Sequence, residues 1–230
     1  MWPGPYGNWG SRKYLMASLN QSLKRMNLEY VDLFYSHRYD AETPLEETLQ
    51  ALVDIVKQGK ALYIGISRWP YEAMQTAYQY LSERDVPCLI FQGCYNLFNR
   101  QLEQEGILKQ AKENGSGFIS FSPLAQGLLT DRYLNGIPED SRIAHGGHLK
   151  KESLTETTLK RIHALNEIAL KRGQTLAEMS IAWILQHEAV TSVIVGASSA
   201  HQLNQNLKAL ESPTFSKEEL EEIEQACAFI

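Results

Sequence analysis

The chain has 230 residues, 43% of them apolar and 21% charged, with 22 Lys and Arg against 27 Asp and Glu and a formal net charge of −5. This is a globular composition, long enough for a substantial core, and its mild acidity without a Lys/Arg cluster argues against nucleic acid as a partner. Apolar runs stop far short of the roughly 20 residues that span a bilayer, and Met1 to Asn8 lacks a basic-then-apolar leader pattern. Cys88, Cys94 and Cys227 have no Cys-x-x-Cys spacing. A cytoplasmic protein with reduced thiols and no membrane insertion is therefore expected.

In chain order, Leu15, Leu19, Leu23 and Met26 recur at steps of four, four and three, which predicts a helix with one apolar face. Five stretches with few polar residues read as buried strands: Val31–Tyr35, Ala61–Ile66, Cys88–Gln92, Gly117–Phe121 and Ser192–Gly196. The first four begin about 30 residues apart, the length of one strand–helix unit. After the first strand, Thr43 is expected to cap a helix with Pro44 at its first position and Glu46 in a capping box. Leu45, Leu49, Leu52, Val53 and Val56 form the apolar stripe of that helix, and Gly59 stops it. Thr130 to Ser153 is the long irregular segment, of the kind that carries function or disorder. Ser216 with Glu219 is expected to cap a last helix running through Glu224.

Strand–helix alternation means a parallel sheet, either open and doubly wound or closed as a (β/α)₈ barrel. The open-sheet reading lacks a glycine-rich turn, because Ser36-His37-Arg38 follows the first strand. The barrel reading has five strands where eight are needed.

Several residues at strand ends can carry chemistry. His37 closes the first strand, where an imidazole can donate to a substrate carbonyl or simply bond to nearby backbone. Ser67-Arg68 and Gln92 close the next two strands, and an amide beside a hydroxyl suits recognition of a carboxamide. Ser122 to Gly127 forms a turn that could lie along a pyrophosphate. Gly196-Ala197-Ser198 leads into a helix bearing Gln202, Gln205 and Asn206, whose N-terminus suits a phosphate. His145 and His148 lack a further ligand and read as loop residues rather than a metal site. Tyr14, Tyr78 and Tyr80 read as helical, and Trp183 as core.

Val31-Asp-Leu-Phe-Tyr-Ser-His37-Arg38 followed by Thr43-Pro-Leu-Glu-Glu-Thr48 resembles the aldo-keto reductases. Gly65-Ile-Ser67-Arg68-Trp69, Phe121-Ser-Pro-Leu-Ala125 with Gly127, and Ser198 through Asn206 match the same family in order and spacing. Within it, the chain is most similar to the branch of the bacterial glyceraldehyde-3-phosphate reductases and the potassium-channel beta subunits. Trp2-Pro-Gly-Pro-Tyr-Gly7 and Tyr133-Leu-Asn-Gly-Ile137 are closest to the reductases. The resemblance covers essentially the whole chain. It implies a (β/α)₈ barrel that transfers hydride from NADPH to small aldehydes and ketones, such as glyceraldehyde 3-phosphate or methylglyoxal.

Residue by residue, the resemblance makes His37 the histidine of an Asp, Tyr, Lys and His tetrad. Ser67, Arg68 and Gln92 would hold the nicotinamide carboxamide, and Phe121 would stack on the ring. Ser122, Leu124 and Gly127 would line the pyrophosphate, with Arg132 and Arg142 approaching the phosphates. Ser198, Gln202, Gln205 and Asn206 would meet the adenosine end. Ser199 stands where a basic residue often grips the 2′-phosphate, and Gln205 where an acid is common, which loosens the preference for NADP over NAD.

The resemblance also implies that residues 1–230 form a single domain lacking the first three strands, which carry the tetrad Asp, Tyr and Lys. A partial barrel of about five βα units is then expected, with impaired turnover. Its unpaired outer strands imply association into a homo-oligomer or aggregate, to be seen by light scattering. Two further readings stand beside the reductase: a non-catalytic nucleotide-binding module like the channel beta subunits, and a gene fragment without activity.

Overall fold

A computed structural model describes residues 9–138, 149 and 151–228. The elements run α1 (Arg12–Met26), β1 (Val31–Ser36), α2 (Leu45–Lys57), β2 (Ala61–Ser67), α3 (Tyr71–Ser82), β3 (Cys88–Cys94), α4 (Gln101–Gln104), α5 (Ile107–Glu113) and β4 (Gly117–Phe121). They continue as α6 (Glu156–Lys171), α7 (Leu176–Leu185), β5 (Val190–Ile194), α8 (Ala200–Leu207) and α9 (Lys217–Cys227). The five strands hydrogen-bond in the order β1-β2-β3-β4-β5, so each joins its neighbour in sequence and the described sheet does not close on itself. Pairing is parallel from β1 to β2 and from β2 to β3. Parallel neighbours in chain order, each separated by helix, are the barrel type of strand succession.

The chain divides into two compact units. The first comprises residues 1–93 and 102–119, the second residues 94–101 and 120–230. In the first, α2 packs against α1, α3 and β2. Leu49, Leu52, Val53 and Ile55 on α2 are fully buried, whereas Leu45 and Val56 are only half-buried. Ile55 replaces Val56 because the buried face turns with the helix rather than following one row. On α1, Leu15, Leu19 and Leu23 are buried but Met26 is half exposed, because the helix ends beside it at Asn27 in the left-handed region.

The stop at Gly59 is as expected: with φ +70° it closes α2 through Gly59 N–H to Val56 C=O (2.8 Å) and Lys60 N–H to Ile55 C=O (3.1 Å). The expected Thr43 cap does not form. Thr43 Oγ1 instead donates to Asp40 Oδ2 at 2.7 Å, and Pro44 takes the N-cap place without a side-chain bond. Asp40 also accepts the N–H groups of Gly10 (3.0 Å) and Glu42 (3.1 Å). Burial alone pushes the Asp40 carboxyl pKa up, but these hydrogen bonds outweigh it and hold the value below the usual range. Between β1 and β2, Gly65 lies opposite Tyr35, where a Cβ would fall 2.6 Å from the Tyr35 ring, so only glycine lets that ring lie over the strand.

In the second unit, α7 packs against α6, α8 and β5, and α6 against α9. Thr175 with Glu178 and Ser216 with Glu219 both form complete capping boxes. The latter helix runs past Glu224 to Cys227. β5 begins two residues earlier than the sequence suggests and ends at Ile194, releasing Val195 and Gly196 into the following loop. Among the described residues no helix is long and apolar enough to cross a membrane.

Candidate functional site

In the first unit the strand register gathers the polar ends. Ser67, the last residue of β2, lies opposite Gln92 of β3. The next N–H, that of Arg68, donates to the Gln92 carbonyl at 3.2 Å. Arg68 itself is in the left-handed region, φ +56°, where a non-glycine residue is held only by its surroundings. Ser67 is 2% exposed and its hydroxyl oxygen has no hydrogen-bond partner. A buried hydroxyl without a partner is uncommon in a folded protein.

His37 follows Ser36 at the end of β1 and is exposed. Its imidazole pKa is lowered, first by partial burial and then by the nearby charges of Arg38 and Arg68. The ring is therefore neutral at pH 7 and carries one N–H donor. Arg38 lies over the Trp9 ring at 5.8 Å, and the buried Trp69 meets Tyr39 edge-on at 5.7 Å. His37, Ser67, Arg68 and Gln92 thus all lie on one unit, at or within two residues of the C-terminal ends of successive parallel strands.

The second unit holds the remaining expected residues, Phe121 at the end of a strand and most of the others on a turn and a helix start. Phe121 ends β4, half-buried. Beyond it Ser122 (φ +54°), Ala125 (+46°), Gln126 (+60°) and Gly127 (+104°) are all left-handed. This turn forms one wall of a cleft of about 260 Å³, closed on other sides by Arg132, Tyr133, Val195 and Gln202. A wider hollow of about 650 Å³ shares Leu124, Thr130, Arg132 and Gln202 with the cleft and extends to Gln205 and Asn206. The structure therefore brings Ser122, Leu124, Gly127, Arg132, Gln202, Gln205 and Asn206 around two depressions that share part of their walls.

At the start of α8, Ser199 is the N-cap and accepts the Gln202 N–H at 3.2 Å. Gln202 Oε1 turns back to accept from the Ser198 N–H (2.8 Å) and hydroxyl (3.1 Å). So the small hydroxyl at Ser199 serves the helix itself. Asn206 is 6% exposed, and its Nδ2 donor has no partner. Arg142 lies outside the described residues, as do His145, His148 and the segment Trp2 to Gly7.

Two residues that matter to this geometry escaped the sequence reading. Thr130 lines both depressions, and Asn96 holds the Ser122 carbonyl. The signal available for Asn96 was the doublet of asparagines three apart in Asn96-Leu-Phe-Asn99, a turn-forming pattern. The thiols of Cys88 and Cys227 are pushed up to about 11 by burial, which makes both poor nucleophiles near neutral pH.

The sequence matches the Aldo/keto reductase family over residues 1–228. It is 55% identical over 232 aligned residues to an L-glyceraldehyde 3-phosphate reductase of Escherichia coli O157:H7, covering 99% of this chain and 67% of that protein. It is 38% identical over 226 residues to a probable voltage-gated potassium channel subunit beta of Oryza sativa subsp. japonica, covering 96% of this chain and 69% of that one. A solved thermostable aldo-keto reductase, in complex with the inhibitor epalrestat, superposes with a TM-score of 0.73 at 30% identity, covering 94% of this chain and 67% of that one.

Proposed function

We propose, from the premise that the chain belongs to the aldo/keto reductase family, that it is an NADPH-dependent reductase of small aldehydes of the glyceraldehyde 3-phosphate or methylglyoxal kind. As a member of that family it is an oxidoreductase acting on a small-molecule carbonyl compound. What supports the finer reading is the pair of adjoining depressions in the second unit, one of them lined in part by Asn206, whose buried amide nitrogen has no partner. A dinucleotide needs a channel, long and polar-walled, with donors for phosphate and purine. Ser67, with its orphan hydroxyl beside Gln92, supplies the matching groups for a carboxamide.

The family resemblance, rather than any geometry between the two units, assigns Ser67, Arg68 and Gln92 to the nicotinamide carboxamide and Phe121 to the face of the ring. Ser122, Leu124 and Gly127 follow the pyrophosphate, Arg132 and Arg142 balance phosphate charge, and Ser198, Gln202, Gln205 and Asn206 meet the adenosine. NADPH, when bound, supplies hydride to the carbonyl carbon. Neutral His37 orients the carbonyl by donating its N–H to the oxygen, a role that a protonated imidazole flanked by Arg38 and Arg68 would fill only against their charge. Among the tetrad positions of the resemblance, these 230 residues hold His37.

A second reading, nucleotide binding in the service of another protein, draws on the 38% identity to a potassium channel beta subunit. Isothermal titration with NADP⁺ and NAD⁺, followed by NADPH oxidation with methylglyoxal or L-glyceraldehyde 3-phosphate, tests both. Binding with any aldehyde-dependent turnover supports the reductase. Binding with none favours the regulatory module, and no binding contradicts both.

A further inference from the structure

Asn96 lies just past β3 and is 2% exposed, and every polar atom of its side chain is engaged. Its Oδ1 accepts the N–H groups of Phe98 (3.0 Å) and Asn99 (2.9 Å), closing a tight turn. Asn96 and Asn99 also exchange backbone hydrogen bonds of 3.1 and 3.0 Å across that turn. All of this needs only the oxygen of the amide, as in any Asx turn. The nitrogen does something else: besides a long contact to Cys94 Sγ at 3.9 Å, Nδ2 donates to the Ser122 carbonyl at 2.9 Å, 26 residues away.

That carbonyl belongs to the residue where the chain leaves β4 and turns left-handed. It also accepts the Ala125 N–H at 3.0 Å, so both of its lone pairs are directed and the plane of the Ser122–Pro123 peptide is set. Non-glycine residues in the left-handed region persist only where surrounding contacts over-determine them, and this turn has three such residues in a row of five. Attachment of the Asn96 turn to β4 does not depend on this bond, because Ser120 Oγ already donates to the Tyr95 carbonyl at 2.6 Å. Tyr95 is further held by stacking on Trp183 at 5.4 Å. What the amide nitrogen adds is the orientation of the Ser122 peptide.

We propose that Asn96 is a positioning residue for the cofactor's pyrophosphate: it holds the Ser122–Gly127 turn in the shape that walls the 260 Å³ cleft, without itself touching the ligand. This rests on the cofactor reading above. It assigns binding strength to a residue outside the depression, and it specifies which part of the ligand feels its loss.

The test uses Asn96→Asp, which keeps the acceptor for Phe98 and Asn99 but sets an acceptor against the Ser122 carbonyl. Titrations compare NADP⁺, which contains the pyrophosphate, with adenosine 2′-monophosphate, which does not. The NADP⁺ Kd is expected to rise about tenfold, the scale of one buried hydrogen bond replaced by a mismatch, while the Kd of the monophosphate stays unchanged. Ser120→Ala serves as the control: it loosens the same segment without touching Ser122, and should lower the melting temperature while leaving the ratio of the two affinities as it was. If Asn96→Asp does not fold, Asn96→Ser replaces it, since a hydroxyl can still accept within the turn but is too short to reach Ser122.

Equal loss of both ligands, no loss of either, or the same change of ratio in Ser120→Ala would overturn the proposal while leaving the cofactor reading intact. A wild-type chain that binds neither ligand would overturn the cofactor reading, and this inference with it.

Discussion

In the first unit Ser67 and Gln92 face each other in parallel register, with Arg68 one residue on, over an apolar core that includes the stacked pair Phe91 and Phe118. In the second, the corresponding groups hang on a left-handed turn and a capped helix start, around open depressions. The two units are also held together differently. The second has a polar hub in Arg172, whose 6% exposed side chain pairs with Glu219 at 2.6 Å and lies over Phe215 at 3.8 Å. Its remaining N–H groups reach Gln174 (2.9 Å) and the carbonyls of Ser212 (3.2 Å) and Thr214 (2.9 Å). Strand ends are positioned by a ladder of backbone bonds and tolerate side-chain change. A strained turn depends on individual side chains, so its function should be more fragile to single substitutions.

The largest expected effects test how each unit is built. Phe118→Ala should cost about 3–5 kcal/mol of stability, since Phe118 is fully buried and leaves a cavity against Phe91. Arg172→Ala should cost about 3 kcal/mol, because it removes the buried guanidinium that pairs with Glu219 and holds the carbonyls of Ser212 and Thr214. Arg172→Lys should recover little of that, as an ammonium cannot reproduce the planar fork. Urea unfolding measures all three, and a loss below 1 kcal/mol in Arg172→Ala would remove the contrast between an apolar and a polar scaffold.

Next come Ser67 and Asn206, two of the buried side chains whose polar atom has no protein partner. Ser67→Ala and Asn206→Ala each remove a buried polar atom with no protein partner, so neither should destabilise the free chain by more than about 1 kcal/mol. Each should nonetheless weaken NADP⁺ binding about tenfold, equivalent to roughly 1.4 kcal/mol. Paired melts and titrations read the two effects separately. Substantial destabilisation with unchanged binding would mean that these groups are structural.

The smallest effect concerns pH. The His37 pKa is lowered on folding, so below the ordinary value of about 6.5 the unfolded chain binds more protons. Stability therefore rises with pH across that window and is lost as pH falls through the folded value. His37→Gln should flatten the dependence slightly, since His37 is exposed, and an NMR titration of the imidazole should show the depressed value directly. An unshifted titration would leave the Arg38 and Arg68 charges without influence on the ring.

The contrast between the units also explains what could be read from the sequence. Strands β1 to β4 were legible because apolar runs bounded by helical periodicity have few alternatives, and the Ser216–Glu219 box because both partners lie within four residues. Thr43 was misread because its competing partner, Asp40, also draws on Gly10, 30 residues away from Asp40. The Ser122 turn hides for a related reason. Serine, alanine and glutamine carry no mark of left-handed backbone, and the restraint on Ser122 arrives from Asn96 in another part of the chain. Local chemistry is visible in a sequence, whereas bonds between distant segments become visible only in the fold.

The central claim, that this chain binds a nicotinamide dinucleotide, is tested most directly by a thermal melt with and without NADPH. Ligand at 100 times its Kd adds about 2.7 kcal/mol, which for a chain of this size raises the midpoint by roughly 5–10 °C. A cooperative transition with that shift is the predicted result, and a midpoint unmoved by saturating NADPH would contradict it.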